Sequence, residues 1–225
     1  MAELNYTTLR EEVAHILRKR ILDGTIPPGE KIREVEVAKE FNISRGPVRE
    51  ALRQIEQEGF VHYEPNKGCK VVTMGLDNMN EMYLIRSTLE KLAVQIYNGN
   101  FRESTLEKMQ EQVDLIGKAA EERKLSAIVA CDEAFHQLIV AEAESRRLLK
   151  TWKNFEGENA AIYFTMNRYG LMPTEYLKRN HQWIVDVCRE RDCEKICRCV
   201  ERHYMVVPED LHKKMEEEKK DKEAL

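Results

Sequence analysis

The chain has 225 residues, 42% of them apolar and 34% charged, with a formal net charge of −4; this is enough for one large domain or two small ones. No run approaches the roughly 20 apolar residues of a membrane span, and the opening MAELNYTTLREE lacks the apolar core of a signal peptide, so a cytoplasmic protein with no membrane partner is expected. Residues 1–74 carry 12 Lys/Arg against 12 Asp/Glu, which excludes bulk charge attraction to nucleic acid and leaves local geometry as the only route to DNA.

Leu9 to Asp23 reads as a helix, because Leu9, Val13, Ile16, Leu17 and Ile21 recur at helical spacing. Gly24 stops it, and Thr25 to Glu30, with its Pro-Pro-Gly, is a turn. Lys31-Ile32 is a short extended piece, and Glu34 to Phe41 is a second, short helix with Val37 and Ala38 inward. Asn42-Ile43-Ser44 turns the chain, Ser44 has the chemistry of an N-cap, and Pro47 sits in the first turn of a third helix, where its missing N–H costs nothing. On that helix Arg45, Arg49 and Arg53 share a strip of about 80°. Val48, Ala51, Leu52 and Ile55 occupy the neighbouring strip and can pack inward. Arginine's planar fork matches phosphate and the guanine edge. The arginines alone also fit a solvated basic face, but short helix, tight turn and longer helix together make a helix-turn-helix. Gly59 to Glu64, the turn Pro65 to Gly68 and the returning Cys69 to Val72 add a two-stranded wing.

Thr73 to Asn78 reads as a linker, with Asp77 as a cap for the next helix. Helices are then expected over Asp77–Asn98, Glu103–Glu122, Leu125–Ala143, Ser145–Arg168, Thr174–Glu190 and Cys193–Val207, and the Lys/Glu-rich residues 208–225 are a charged tail, frayed or disordered. The expected fold is mainly α: a winged helix-turn-helix domain over 1–74 and an all-α bundle of about six helices over 75–207. The six cysteines form no CxxC pair and are expected as reduced thiols; a redox or metal role for Cys193, Cys197 and Cys199 stays open.

Four polar groups fall on stripes that should be apolar. Asp132 and His136 lie one turn apart among Ile128, Val129, Phe135, Ile139 and Val140. His181 lies with Ile184, Val185 and Cys188, and His203 with Ile196, Cys199, Val200 and Val207. An unpaired carboxylate inside a bundle is expensive. One divalent cation would satisfy all four, with Zn²⁺, Ni²⁺ and Mn²⁺ not distinguished; neutral, hydrogen-bonded core histidines are the alternative.

The run PPGEKIREVEVAKEFNISRGPVREALRQIEQEGFVHYEPNKG resembles the DNA-binding domain of GntR-type bacterial transcription regulators. That resemblance implies that Arg45 and Arg49 enter the major groove, that Ser44 meets phosphate, and that the wing tip, Asn66, Lys67 and Gly68, reaches the minor groove. Position 46, usually threonine in the family, is Gly46, and position 35, often basic, is Val35; both bear on which operator is read. Asp132-x-x-x-His136, His181 and His203, with EMYLIRSTLEKLA at Glu81 to Ala93, resemble the FCD domain, the helical effector domain of one GntR subfamily. In that family a metal in the bundle helps hold a small organic acid. Arg86 matches a family arginine that faces the ligand carboxylate, or else forms an ion pair with Glu90 one turn on; Asn167 and Arg168 are further pocket candidates.

The expected protein is therefore a ligand-responsive transcription regulator. It would bind a double-stranded, inverted-repeat operator as a homodimer and take a small organic acid as effector. A sensor for the metal itself and a metalloenzyme are the other readings, the last lacking any general base, nucleophile or glycine-rich cradle beside the ligands.

Overall fold

The structure, a computed structural model, describes residues 8–64, 68–168 and 174–206. Helix α1 (Leu9–Leu22) starts at a capping box: Thr8 Oγ accepts from the Glu11 N–H, and the Glu11 carboxylate accepts from the Thr8 N–H. It buries Val13, Ala14, Leu17 and Ile21. Strand β1 (Lys31–Ile32), α2 (Glu34–Glu40) and α3 (Arg45–Gln57) follow, then β2 (Val61–Glu64) and β3 (Gly68–Val71). Asn42, with φ 53°, makes the turn between α2 and α3, and α3 buries Val48, Ala51, Leu52 and Ile55, the four residues expected inward.

The wing has three strands rather than two. Lys31-Ile32 pairs antiparallel with β3 in the register Lys31↔Lys70 and Ile32↔Cys69, giving the order β1-β3-β2. The reason is burial, since Ile32 and Cys69 both face the core, while two residues are too short for their alternation to show in the sequence.

The helical half comprises α4 (Leu76–Ile96), α5 (Glu103–Glu121), α6 (Leu125–Ala141), α7 (Arg146–Lys153), α8 (Glu156–Arg168) and α9 (Thr174–Arg189), and α10 over residues 193–206. Among the described residues these are seven helices where six were expected, because the single helix expected over Ser145–Arg168 breaks at Asn154 and Phe155. The break serves a docking. A helix start leaves four N–H groups without intrahelical partners, and α8 gives one of its own, Gly157 N–H, to the carbonyl of Glu58 at the end of α3, 2.9 Å away. A Cβ on Gly157 would lie 2.1 Å from the backbone nitrogen of Phe60, and one on Gly59 (φ +78°) would lie 2.7 Å from the Asn154 carbonyl oxygen. Two glycines thus let two backbones touch. Nearby, Arg18 and Glu58 form a two-pronged ion pair at 2.7–2.9 Å.

The halves share one core. Its buried side chains run from Leu17, Leu52, Ile55 and Phe60 through Met74 and Met79 to Met109, Ile116, Phe135 and Ile184. Among the described residues, no helix is long and apolar enough to cross a membrane.

Gly157→Ala is expected to destabilise the protein by about 1–3 kcal/mol, because the methyl meets backbone that no rotamer change can move. At this size that is a fall in Tm of roughly 2–12 °C. An unchanged melting curve would mean that α8 does not seat on the α3–β2 corner in solution.

Candidate functional site

The candidate functional side chains gather in two places. At the first, the start of α3, Ser44, Arg45, Gly46 and Arg49 are all exposed. Ser44 occupies the N-cap position, yet its hydroxyl makes no capping bond, so it remains available to a phosphate. A Cβ on Gly46 would find only the Ser44 hydroxyl, at 3.9 Å; space does not require glycine there. Gly68 opens β3 with φ +89° and has nothing within 4 Å of a Cβ position. Asn66 and Lys67 lie outside the described residues. Arg45 and Arg49 both bond to one carboxylate, Glu34 on α2, a partner that the helical-stripe reasoning missed because it comes from another element.

The second site is inside the helical half. Asp132 and His136 on α6, His181 on α9 and His203 on α10 each present one ligand atom, all within 4.8 Å of one another. His181 Nδ1 lies 2.8 Å from the Leu177 carbonyl oxygen, and a carbonyl only accepts, so Nδ1 carries the proton. His181 Nε2 then faces Asp132 Oδ1 at 2.9 Å. A contact that short needs a positive partner between nitrogen and oxygen, either a second ring proton on His181 or a cation. His136 gives its Nδ1–H to Glu90 Oε2 at 2.9 Å and turns Nε2 inward, 3.2 Å from His203 Nε2 and 3.7 Å from Asp132 Oδ1. His203 Nδ1 is buried without a hydrogen-bond partner among the described residues. Ligand atoms about 2.1 Å from a shared metal stand about 3–3.5 Å apart; the His181–Asp132 and His136–His203 separations come near that spacing, and the donor types suit a divalent cation.

The electrostatics of Asp132 and His203 suit a cation, and those of His136 oppose it. Burial and the neighbouring His181 and His136 push His203 well below its usual range, which favours the neutral imidazole that metal binding requires. Burial works to raise Asp132, but the bond from His181 and the charges of His136 and His181 outweigh it and hold the carboxyl below the usual carboxylate range. Burial works to lower His136, and Glu90 outweighs it, leaving that imidazole raised.

A second layer of buried polar groups surrounds these four. Glu90 Oε1 accepts from Trp152 Nε1 at 2.9 Å and from the Tyr204 hydroxyl. On α8, Asn159 Nδ2 reaches Asp132 Oδ2 and Glu133 Oε2, each at 3.2 Å, and the Tyr163 hydroxyl reaches Asp132 Oδ1 at 2.7 Å. Arg86 is fully buried, and its ion pair is with Glu133, at 3.0 and 3.3 Å, rather than with Glu90. The correction has a simple cause: Glu90, though one turn along α4, spends its oxygens on His136, Trp152 and Tyr204. The Arg86 guanidinium also stacks 4.2 Å over the Trp152 ring. Glu133 could have been read from the sequence, since it falls four residues after Val129 and three before His136 on the buried stripe of α6. Asn159 and Tyr163 carried no such signal, because α8 is apolar on several faces. Asn167 is exposed at the end of α8 and does not join the cluster; the side chain of Arg168 lies outside the described residues.

Comparison with known proteins finds two matching segments. Residues 9–71 match the family described as bacterial regulatory proteins, gntR family, and residues 81–205 match the FCD domain. The chain is 31% identical over 207 residues to the uncharacterized HTH-type transcriptional regulator YdhC of Bacillus subtilis, covering 90% of this chain and 91% of that one. It is 26% identical over 210 residues to the HTH-type transcriptional repressor RspR of Escherichia coli, covering 93% and 92%. Its fold resembles that of a GntR transcriptional regulator from Rhodococcus sp. RHA1, with a TM-score of 0.77 at 23% identity over 91% of this chain and 97% of that one. The chain therefore belongs to the GntR family of bacterial regulatory proteins, with an FCD domain as its helical half, and it is a transcriptional regulator rather than an enzyme.

Proposed function

We propose that this regulator is a cytoplasmic homodimer that reads an inverted-repeat operator and changes its grip when a divalent cation, with a small organic acid, binds in the helical half. The division of labour follows the two matched segments: residues 1–74 bind DNA and residues 75–207 sense the ligand. Ser44, Arg45, Gly46 and Arg49 face the major groove, and Asn66, Lys67 and Gly68 form the wing contact. Repression is the expected output, by analogy with the E. coli relative's name. The second copy is assigned to the outer face of α4, where Leu84, Leu92 and Ile96 form an exposed apolar stripe.

The observation that carries the sensing half is the convergence of His136, His181 and His203 Nε2 on Asp132. A bound cation supplies positive charge for these lone pairs and coordination positions for a carboxylate. Arg86 does not serve as a free anion hook while Glu133 satisfies it. The response runs through α8. Asp132 Oδ1 accepts from Tyr163 and faces His181, so giving that oxygen to a cation alters its hold on Tyr163. Tyr163 and Asn159 stand on the helix whose first turn is bonded to Glu58. α8 thus touches both the ligand cluster and the base of the reading helix, as a two-state coupling element must.

The closed Arg86–Glu133 pair also favours a second reading, in which the metal alone is the effector. Titrating the affinity for a selected operator against Zn²⁺, Ni²⁺ and Mn²⁺, with and without small carboxylic acids, separates the two. An acid-dependent shift only in the presence of metal supports the first; a full shift by metal alone supports the second. An affinity indifferent to both would sink the sensing proposal.

A further inference from the structure

Arg45 and Arg49 stand one turn apart on α3, where two like charges repel, and nothing within α3 holds them. Glu34 does so from α2. Its Oε2 accepts from Arg45 Nη2 at 3.2 Å, and its two oxygens accept from Arg49 Nε at 3.3 Å and Nη2 at 3.2 Å. The Tyr63 hydroxyl on β2 steadies the same carboxylate at 3.4 Å. The Glu34 side chain is 16% exposed, whereas those of Arg45 and Arg49 are 57% and 52% exposed, so the carboxylate sits at the base and the guanidinium groups project past it. The side-on grip uses the Nε edge of Arg49. Its hydrogen bonds among the described residues all go to Glu34, which leaves the Nη1 end free. Arg53, one turn further on, has no comparable partner among the described residues and is exposed.

We propose that Glu34 is a specificity-determining positioning residue, which fixes Arg49 by one edge, and Arg45 by one nitrogen, so that their free ends meet guanine in a set orientation. The inference rests on the reading of α3 as the DNA-contacting helix. An arginine has many rotamers, and ordering it at the moment of binding weakens every sequence alike; ordering it beforehand lets a misplaced base go unpaired. Glu34 also cancels one positive charge at the interface, which lowers sequence-independent phosphate attraction. Both effects raise the ratio of specific to nonspecific binding.

The test is selection from a randomised duplex library with the full-length wild type, Arg49→Ala, Glu34→Gln and Glu34→Asp, followed by binding of each to the selected duplex and to an unrelated one. Thermal melts establish that each variant is folded. Glu34→Gln is expected to lower the specific-to-nonspecific ratio about tenfold or more, with a loss of base preference at the guanine positions and tighter binding to unrelated duplex. Glu34→Asp keeps the charge but is one methylene too short to hold both arginines, and is expected to lose the ratio without gaining nonspecific affinity. If Glu34→Gln tightens both duplexes equally, or if both variants keep the wild-type preference, Glu34 is a mask or a bystander and the proposal falls. If Arg49→Ala selects the same motif as wild type, α3 does not read DNA as assigned, and both inferences fall together.

Discussion

Arg45→Ala combined with Arg49→Ala is expected to abolish operator binding while the protein stays folded. A well-formed bidentate contact between arginine and guanine is worth about 1–3 kcal/mol of discrimination. The proposed dimer brings each arginine twice, so the combined loss in operator affinity is at least roughly 1,000-fold. The fold has little at stake in either side chain. Both are more than half exposed, and their ion pairs to Glu34 belong to the surface class worth about 0–1 kcal/mol. Electrophoretic mobility shift or anisotropy on a selected operator reads the first quantity, and a thermal melt reads the second. Retained binding within tenfold of wild type would remove α3 as the reading helix. Binding lost together with the melting transition would show instead that Glu34 and its arginines hold the winged helix together.

What could be read from the sequence divides along one physical line. Groups on a single element obey a period, and the period was visible: the inward set of α3, the arginine stripe beside it, and Asp132 with His136 one turn apart on α6. Groups that meet across elements obey packing, which has no period. Glu34 reaches α3 from α2, Asn159 and Tyr163 reach α6 from α8, and Glu133 takes Arg86 from α4 although Glu90 is its nearer neighbour in sequence. His181 and His203 were legible for a different reason. A histidine on an otherwise apolar stripe is a local anomaly, and three such anomalies with one carboxylate have few shared solutions. The break between α7 and α8 was hidden because Asn154 and Phe155 carry no strong stop signal. Gly157 was visible as a residue, but its role depends on Gly59 and Phe60 nearly a hundred positions earlier. Lys31-Ile32 shows the same limit in small: a two-residue strand is recognisable only by its partner, Lys70 and Cys69.

Adding a divalent metal to chelator-stripped protein is expected to raise Tm substantially, and His181→Ala with His203→Ala is expected to remove that rise. A ligand at about 100 times its Kd stabilises the folded state by about 2.7 kcal/mol, which at this size is roughly 5–11 °C. The cluster has room for such a gain: a cation can take the place of the proton between His181 and Asp132, and one buried nitrogen of His203 is unpartnered among the described residues. The two variants are not equal without metal. His203 is half-buried and its Nδ1 makes no bond among the described residues, so its removal alone should cost little. His181 bridges Leu177 and Asp132, so its removal leaves a buried carboxylate with fewer donors and should cost about 1–3 kcal/mol. A metal-independent loss at His181 beside a near-neutral His203, with both abolishing the metal-induced rise and the metal content measured by mass spectrometry, is a pattern that ordinary core histidines do not produce. Histidines that merely fill the bundle would give a Tm indifferent to Zn²⁺, Ni²⁺ and Mn²⁺ in the wild type. That result would return Asp132, His136, His181 and His203 to a hydrogen-bonded core and leave α8 without a ligand to report.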